Sequence, residues 1–153
     1  MATFGTTAAM ISAMANGLSF TSTSRPTQAQ VETWIGQSGL RAAAAIRAAG
    51  ADPATVEAAT TSEGYALAQQ YVTADTASIA LAARDRTDGE LARMLASRAK
   101  DLLNDLRTYA AALGDQRATG EGAPGLTWAP VQYATDTAPT KDATFWSSRT
   151  GQI

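Results

Sequence analysis

Residues 61–86 read TSEGYALAQQYVTADTASIALAARDR, and the way this stretch spreads its apolar residues decides the fold. At 100° per residue, Tyr65, Ala68, Val72, Ile79 and Ala83 make one apolar stripe of a helix running to about Asp85. Leu67, Tyr71, Ala74 and Leu81 make a second stripe on nearly the opposite side. A helix apolar on two faces needs two partners. One stripe can pack on the chain's own helices, and the second then calls for a further helix or a neighbouring subunit.

Downstream, Thr87-x-x-Glu90 is a capping box, with Asp88 adding negative charge where the helix dipole favours it. The spacing predicts a helix to Leu113, with Leu91, Met94, Leu95, Leu102, Leu106, Tyr109 and Leu113 together and Arg93, Lys100, Asn104 and Arg107 opposite. Gly114 is the expected stop. The connection to the preceding helix is short, so the two should form an antiparallel hairpin.

Upstream, the pair Thr60 and Glu63 is the expected cap of the two-faced helix, and Asp52-Pro53 opens a short helix to about Ala59. A further capping box, Thr27 with Gln30, starts a helix running to Ala49 and ended by Gly50. Its stripe is Val31, Trp34, Ile35, Ala42, Ala45, Ile46 and Ala49. Gly36 and Gly39 should admit another helix closely, and Leu40 falls outside the stripe. Nearest the N-terminus, Thr6 or Thr7 caps a docking helix through about Ala15, with Met10, Ile11 and Met14 on one side and Asn16-Gly17 at its end. Leu18 and Phe20 then return the chain to the core. The fold class is therefore all-α, a small bundle of about four helices spanning residues 1–114.

From Asp115 the pattern changes. Residues 115–153 hold three prolines, no helical period and two of the three tryptophans, which predicts an extended, non-helical C-terminal arm joined through the glycines of 120–125. Trp128, Tyr133, Phe145 and Trp146, with Arg149 beyond them, are the arm's candidate partner contacts, either on another subunit or folded back on the body. Leu40, Leu67, Tyr71 and Leu81 are the candidate subunit interface.

Composition bounds the chemistry. Hydrophobic content is 45%, but Ala dominates it, so the core should be thin and helices should approach closely. The formal net charge of −2, with no basic cluster, argues against a protein that grips nucleic acid along its backbone. There is no Cys and no His, which removes the best nucleophile, the usual general base and the commonest metal ligand. Asp101 and Asp105 share a helix face but read as a solvated charged surface. No catalytic, cofactor or metal site is assigned. No apolar run is long enough to span a bilayer, and the segment 1–20 lacks the basic start of a signal peptide.

The stretch Ser24-Arg25-Pro26-Thr27-Gln28-Ala29-Gln30-Val31-Glu32-Thr33-Trp34-Ile35, followed by an Ala-rich amphipathic run to Gly50, resembles the head-to-tail adaptor (connector, head-completion) proteins of long-tailed bacteriophages. The order of elements is similar over residues 4–113. Ser38-Gly39-Leu40 departs from that family, which often carries acidic residues there. The resemblance implies a non-enzymatic virion subunit at the head–tail interface, assembled in the host cytoplasm as a ring of twelve copies under the portal protein. A tail-side connector or tail terminator protein would meet its other face, and the C-terminal arm would dock on the portal or a neighbouring subunit. DNA would pass through without specific binding, and no membrane is involved. Trp34-Ile35-Gly36 also matches a tripeptide of small secreted helical-hairpin proteins, where it occupies a turn. Here it falls within the capped helical run that starts at Thr27, so the match is read as chance; a secreted or cytoplasmic bacterial helical-hairpin binding protein is, separately, the alternative expectation.

Overall fold

A computed structural model of the chain describes residues 2–84 and 89–118, with side chains to Gln116. Thr87 and Asp88 of the expected capping box lie outside the described residues, as do the arm positions Trp128, Tyr133, Phe145, Trp146 and Arg149. Among the described residues the chain is all-α. It comprises α1 (Ala8–Met14), α2 (Gln28–Ala48), α3 (Pro53–Ala58), α4 (Glu63–Arg84) and α5 (Gly89–Ala118).

Most helix starts follow local chemistry. Thr7 caps α1 by accepting from the Met10 N–H at 3.4 Å, and Asn16 and Gly17, both at positive φ, end that helix. The box at Thr27 is closed on both sides: Gln30 N–H donates to Thr27 Oγ1 at 3.3 Å, and Thr27 N–H donates to Gln30 Oε1 at 2.9 Å. Asp52 caps α3, with Pro53 at its first position. The cap of α4 differs from expectation. Residues 60–62 form a turn, the first helical residue is Glu63, and Ser62 Oγ accepts the Tyr65 N–H at 3.1 Å in place of Thr60.

Among the described residues, helix α4 is the centre of the helical body. It touches each of the other four helices, α5 most extensively. Between Gly64 and Leu81 its buried residues, among them Ala68, Tyr71, Val72, Ala74, Thr76, Ala77, Ala80 and Leu81, point to every side of the helix. Most of both stripes is thus buried within the chain, while Tyr65, Leu67 and Ile79 are half-buried and Ala83 is exposed. This corrects the interface expected at Tyr71 and Leu81, whose exposures are 4% and 1%. The physical reason is that a central helix has neighbours all round, so a second apolar face needs no second subunit. Leu67 is half-buried and Leu40 is 52% exposed, so Leu40 alone of the four stands well out of the core.

The hairpin of α4 and α5 is antiparallel: Gly64 meets the Tyr109 ring at one end, while Ile79 and Ala82 share a groove with Ala92 and Ala96 at the other. The inward face of α5 is Ala92, Leu95, Ala99, Leu102, Leu106 and Ala110, and Met94, expected in the core, is 62% exposed. Half of that face is alanine, which lets helix backbones approach closely, and half is leucine, which fills the space between them. Gly114 does not stop α5, which continues to Ala118, so residues 115–118 belong to the helix and not to the arm. A Cβ at Gly114 would lie 3.1 Å from the Ala49 carbonyl oxygen, so this glycine lets α5 pass the end of α2.

The N-terminal segment is a structural part of the body. Thr6 N–H donates to the Thr3 carbonyl at 3.0 Å across a turn whose central residues, Phe4 and Gly5, both have positive φ. This turn drives Phe4 into the core, edge-on to Tyr65 with ring centroids 6.4 Å apart. Thr3 N–H also donates to Glu57 Oε1 at 3.2 Å. A Cβ at Gly39 would collide with the Ala2 carbonyl, so Gly39 admits this segment and not another helix.

Candidate interaction surface

Helices α2 and α4 are joined by a polar cluster that the apolar stripes do not reveal. Ser38 and Thr76 are fully buried, and Ser38 Oγ donates to Asp75 Oδ2 at 2.6 Å while Thr76 Oγ1 donates to Ser38 Oγ at 3.4 Å. Arg41 Nη1 closes the cluster from the solvent side, 3.1 Å from Asp75 Oδ2. Every fully buried side-chain polar atom among the described residues has a partner. Asp75 on α4 thus places a carboxylate beside Ser38-Gly39-Leu40, the stretch of α2 without acids of its own.

The cluster fixes the register of α2 on α4, since a one-residue slip would strand the Ser38 hydroxyl in the core. Asp75→Ala is expected to cost about 2 kcal/mol, because it removes the acceptor of a buried hydroxyl. Asp75→Asn, which keeps an acceptor oxygen, should cost roughly half as much. Urea denaturation of both variants measures this, and equal midpoints for wild type and Asp75→Ala would contradict it.

Tyr71 sits beside the same cluster. Burial raises its phenol pKa above the ordinary value of 10.0, and the Asp75 carboxylate pushes the same way, with Arg41 and Arg107 in partial opposition. The fold therefore holds the neutral phenol. Its contribution is fully present below the unfolded-state pKa and is lost as pH rises through the folded one. Stability should fall as pH rises above about 10, where the unfolded chain ionises and the folded phenol does not, and Tyr71→Phe should flatten that part of the profile in denaturation curves.

Two depressions open at the C-terminal end of α4 and meet it at successive residues. One, of about 440 Å³, is walled by Ser24, Arg25, Pro26, Thr27, Gln30 and Trp34 and reaches Ala83. The other, of about 590 Å³, runs between the helices of the hairpin, with Ser78, Ile79 and Ala82 on one side and Gly89, Ala92, Arg93 and Ala96 on the other. Trp34, expected in the apolar stripe of α2, is half-buried and forms a wall of the first depression. Trp34-Ile35-Gly36 lies inside α2 and not in a turn, unlike the secreted hairpin proteins.

The sequence reading missed Asp75, whose partners are 34 and 37 residues away. It also missed Met94 as a surface residue. Among the described residues no group of His, Cys, Asp and Glu is arranged to hold a metal ion, and no helix is long and apolar enough to cross a membrane. No protein-family model, curated protein or solved structure matches the chain.

Proposed function

We propose that the chain is a structural, non-enzymatic subunit of a bacteriophage virion, a head-to-tail adaptor that forms a homomeric ring between the portal protein and the tail. The observation that carries this reading is the form taken by the motif from Ser24 to Ile35. Its Thr27 and Gln30 build a closed helix cap, and its Arg25, Pro26, Thr27, Gln30 and Trp34 line an open depression. A motif spent on surface shape supports a docking role. The short α1 ahead of it and the all-α body behind it agree with the order of elements in the adaptor proteins.

In this reading the function is geometric. Rigid bodies stand side by side, each arm binds the portal or a neighbouring subunit, and many weak joints act together. The anionic balance of the chain suits a ring through which DNA slides. Light scattering and negative-stain microscopy of the protein mixed with the portal from the same genome test the reading. Rings at one end of the portal are the expected result. A monomer that ignores the portal would overturn it.

A further inference from the structure

The exposed arc of α5 has two edges of opposite charge. Arg93, Lys100 and Arg107 recur every seventh residue and are all exposed, so at 100° per residue they lie within about 40° of one another. Glu90, Asp101 and Asp105 lie on a second exposed edge, about 110° further round the helix, bordered by Arg98. Met94 stands in the middle of that acidic edge, one of two large hydrophobic side chains exposed among the described residues. The groove floored by Ile79, Ala82, Ala92 and Ala96 stands beside Arg93, at the start of the basic edge.

A projecting apolar side chain among acids and an apolar groove beside cations are complementary in shape and charge. They occupy different edges of the same helix, so they cannot satisfy each other within one molecule. Only a second molecule can bring such edges face to face. We propose that Met94 of one copy seats in the Ile79–Ala82–Ala92–Ala96 groove of the next, with Glu90, Asp101 and Asp105 of the first facing Arg93, Lys100 and Arg107 of the second. Such a contact is heterologous: each copy offers a knob on one side and a hole on the other, and repetition closes a ring when the rotation allows. The inference rests on the ring reading and names its interface. It replaces Tyr71 and Leu81 in that role.

The absence of native Cys makes a direct test possible. Met94→Cys and Ala82→Cys are prepared as separate full-length variants, both at exposed positions. A short bis-maleimide should join them into dimers when the two are mixed, and should join neither variant to itself. In a second arm, Arg93→Glu/Lys100→Glu and Asp101→Lys/Asp105→Lys should each lose self-association at low salt, while a mixture of the two regains it. Dimers from Met94→Cys alone would mean a two-fold contact and overturn the proposal. Oligomers by light scattering without the mixed cross-link would overturn this interface and leave the ring reading standing. A wild-type chain that stays monomeric alone and mixed with the portal, with no cross-link between the two cysteine variants, would overturn both.

Discussion

Leu81→Asp is expected to unfold the isolated chain and not merely to release it from an assembly. Leu81 is among the largest fully enclosed side chains, on a helix surrounded by the other four. Removing a buried leucine side chain costs about 2–5 kcal/mol, and an unpaired carboxylate in the same space adds its desolvation. The total, about 5 kcal/mol or more, rivals the whole stability of an ordinary domain. Far-UV circular dichroism at 25 °C should show most of the helical signal gone. Leu67→Asp is the control, since Leu67 is only half-buried, and it should keep full helicity at a cost of about 1 kcal/mol. Full helicity in both variants would place Leu81 outside the core.

The second large effect lies at the other end of the chain. Phe4→Ala should lower stability by about 3 kcal/mol, read as a shift in the urea midpoint at unchanged slope. Phe4 is fully buried, packs edge-on against Tyr65, and takes a φ of 46° to get there. The turn from Thr3 to Thr6 therefore spends backbone strain to place one aromatic ring. Amide exchange gives an independent readout, because the Thr6 N–H bonded across that turn should lose protection in the variant. A cost below about 1 kcal/mol would mean that residues 2–7 do not fold cooperatively with the helices.

What was legible in the sequence was local. The cap at Thr27 and Gln30, the Asp52-Pro53 start and the stop at Gly50 each depend on residues within one turn, and each stands where its spacing put it. Gly114 departs from its expected role because the same residue type serves two purposes, a left-handed stop and a close approach, and only the neighbouring Ala49 carbonyl decides which. The inward face of α5 is turned by about 50° from the expected one, half a residue step, because alanines count for little in a hydrophobic pattern. Ala92, Leu95, Ala99, Leu102 and Leu106 nonetheless repeat at alternating steps of three and four, the mark of close helix pairing.

The candidate surface was less legible than the fold. Trp34 stood out as part of a motif, but its place in a wall and not in the core depends on where Ala83 of α4 ends up. Asp75 carried no signal at all, since its partners Ser38 and Arg41 lie on another helix. Met94 has the character of a core residue and a position that denies it.

The sequence by itself determined that this chain is helical, where most of its helices begin, and that α4 is apolar on two faces, because those properties follow from hydrogen bonds and periodicities a few residues long. Only the tertiary structure decided what covers the second face. Tyr71 and Leu81 are enclosed by the chain's own helices, and which surfaces remain for a partner depends on how closely α2 and α5 approach α4. That approach is set by alanines and glycines meeting across long separations, a property of pairs of helices that neither helix carries alone.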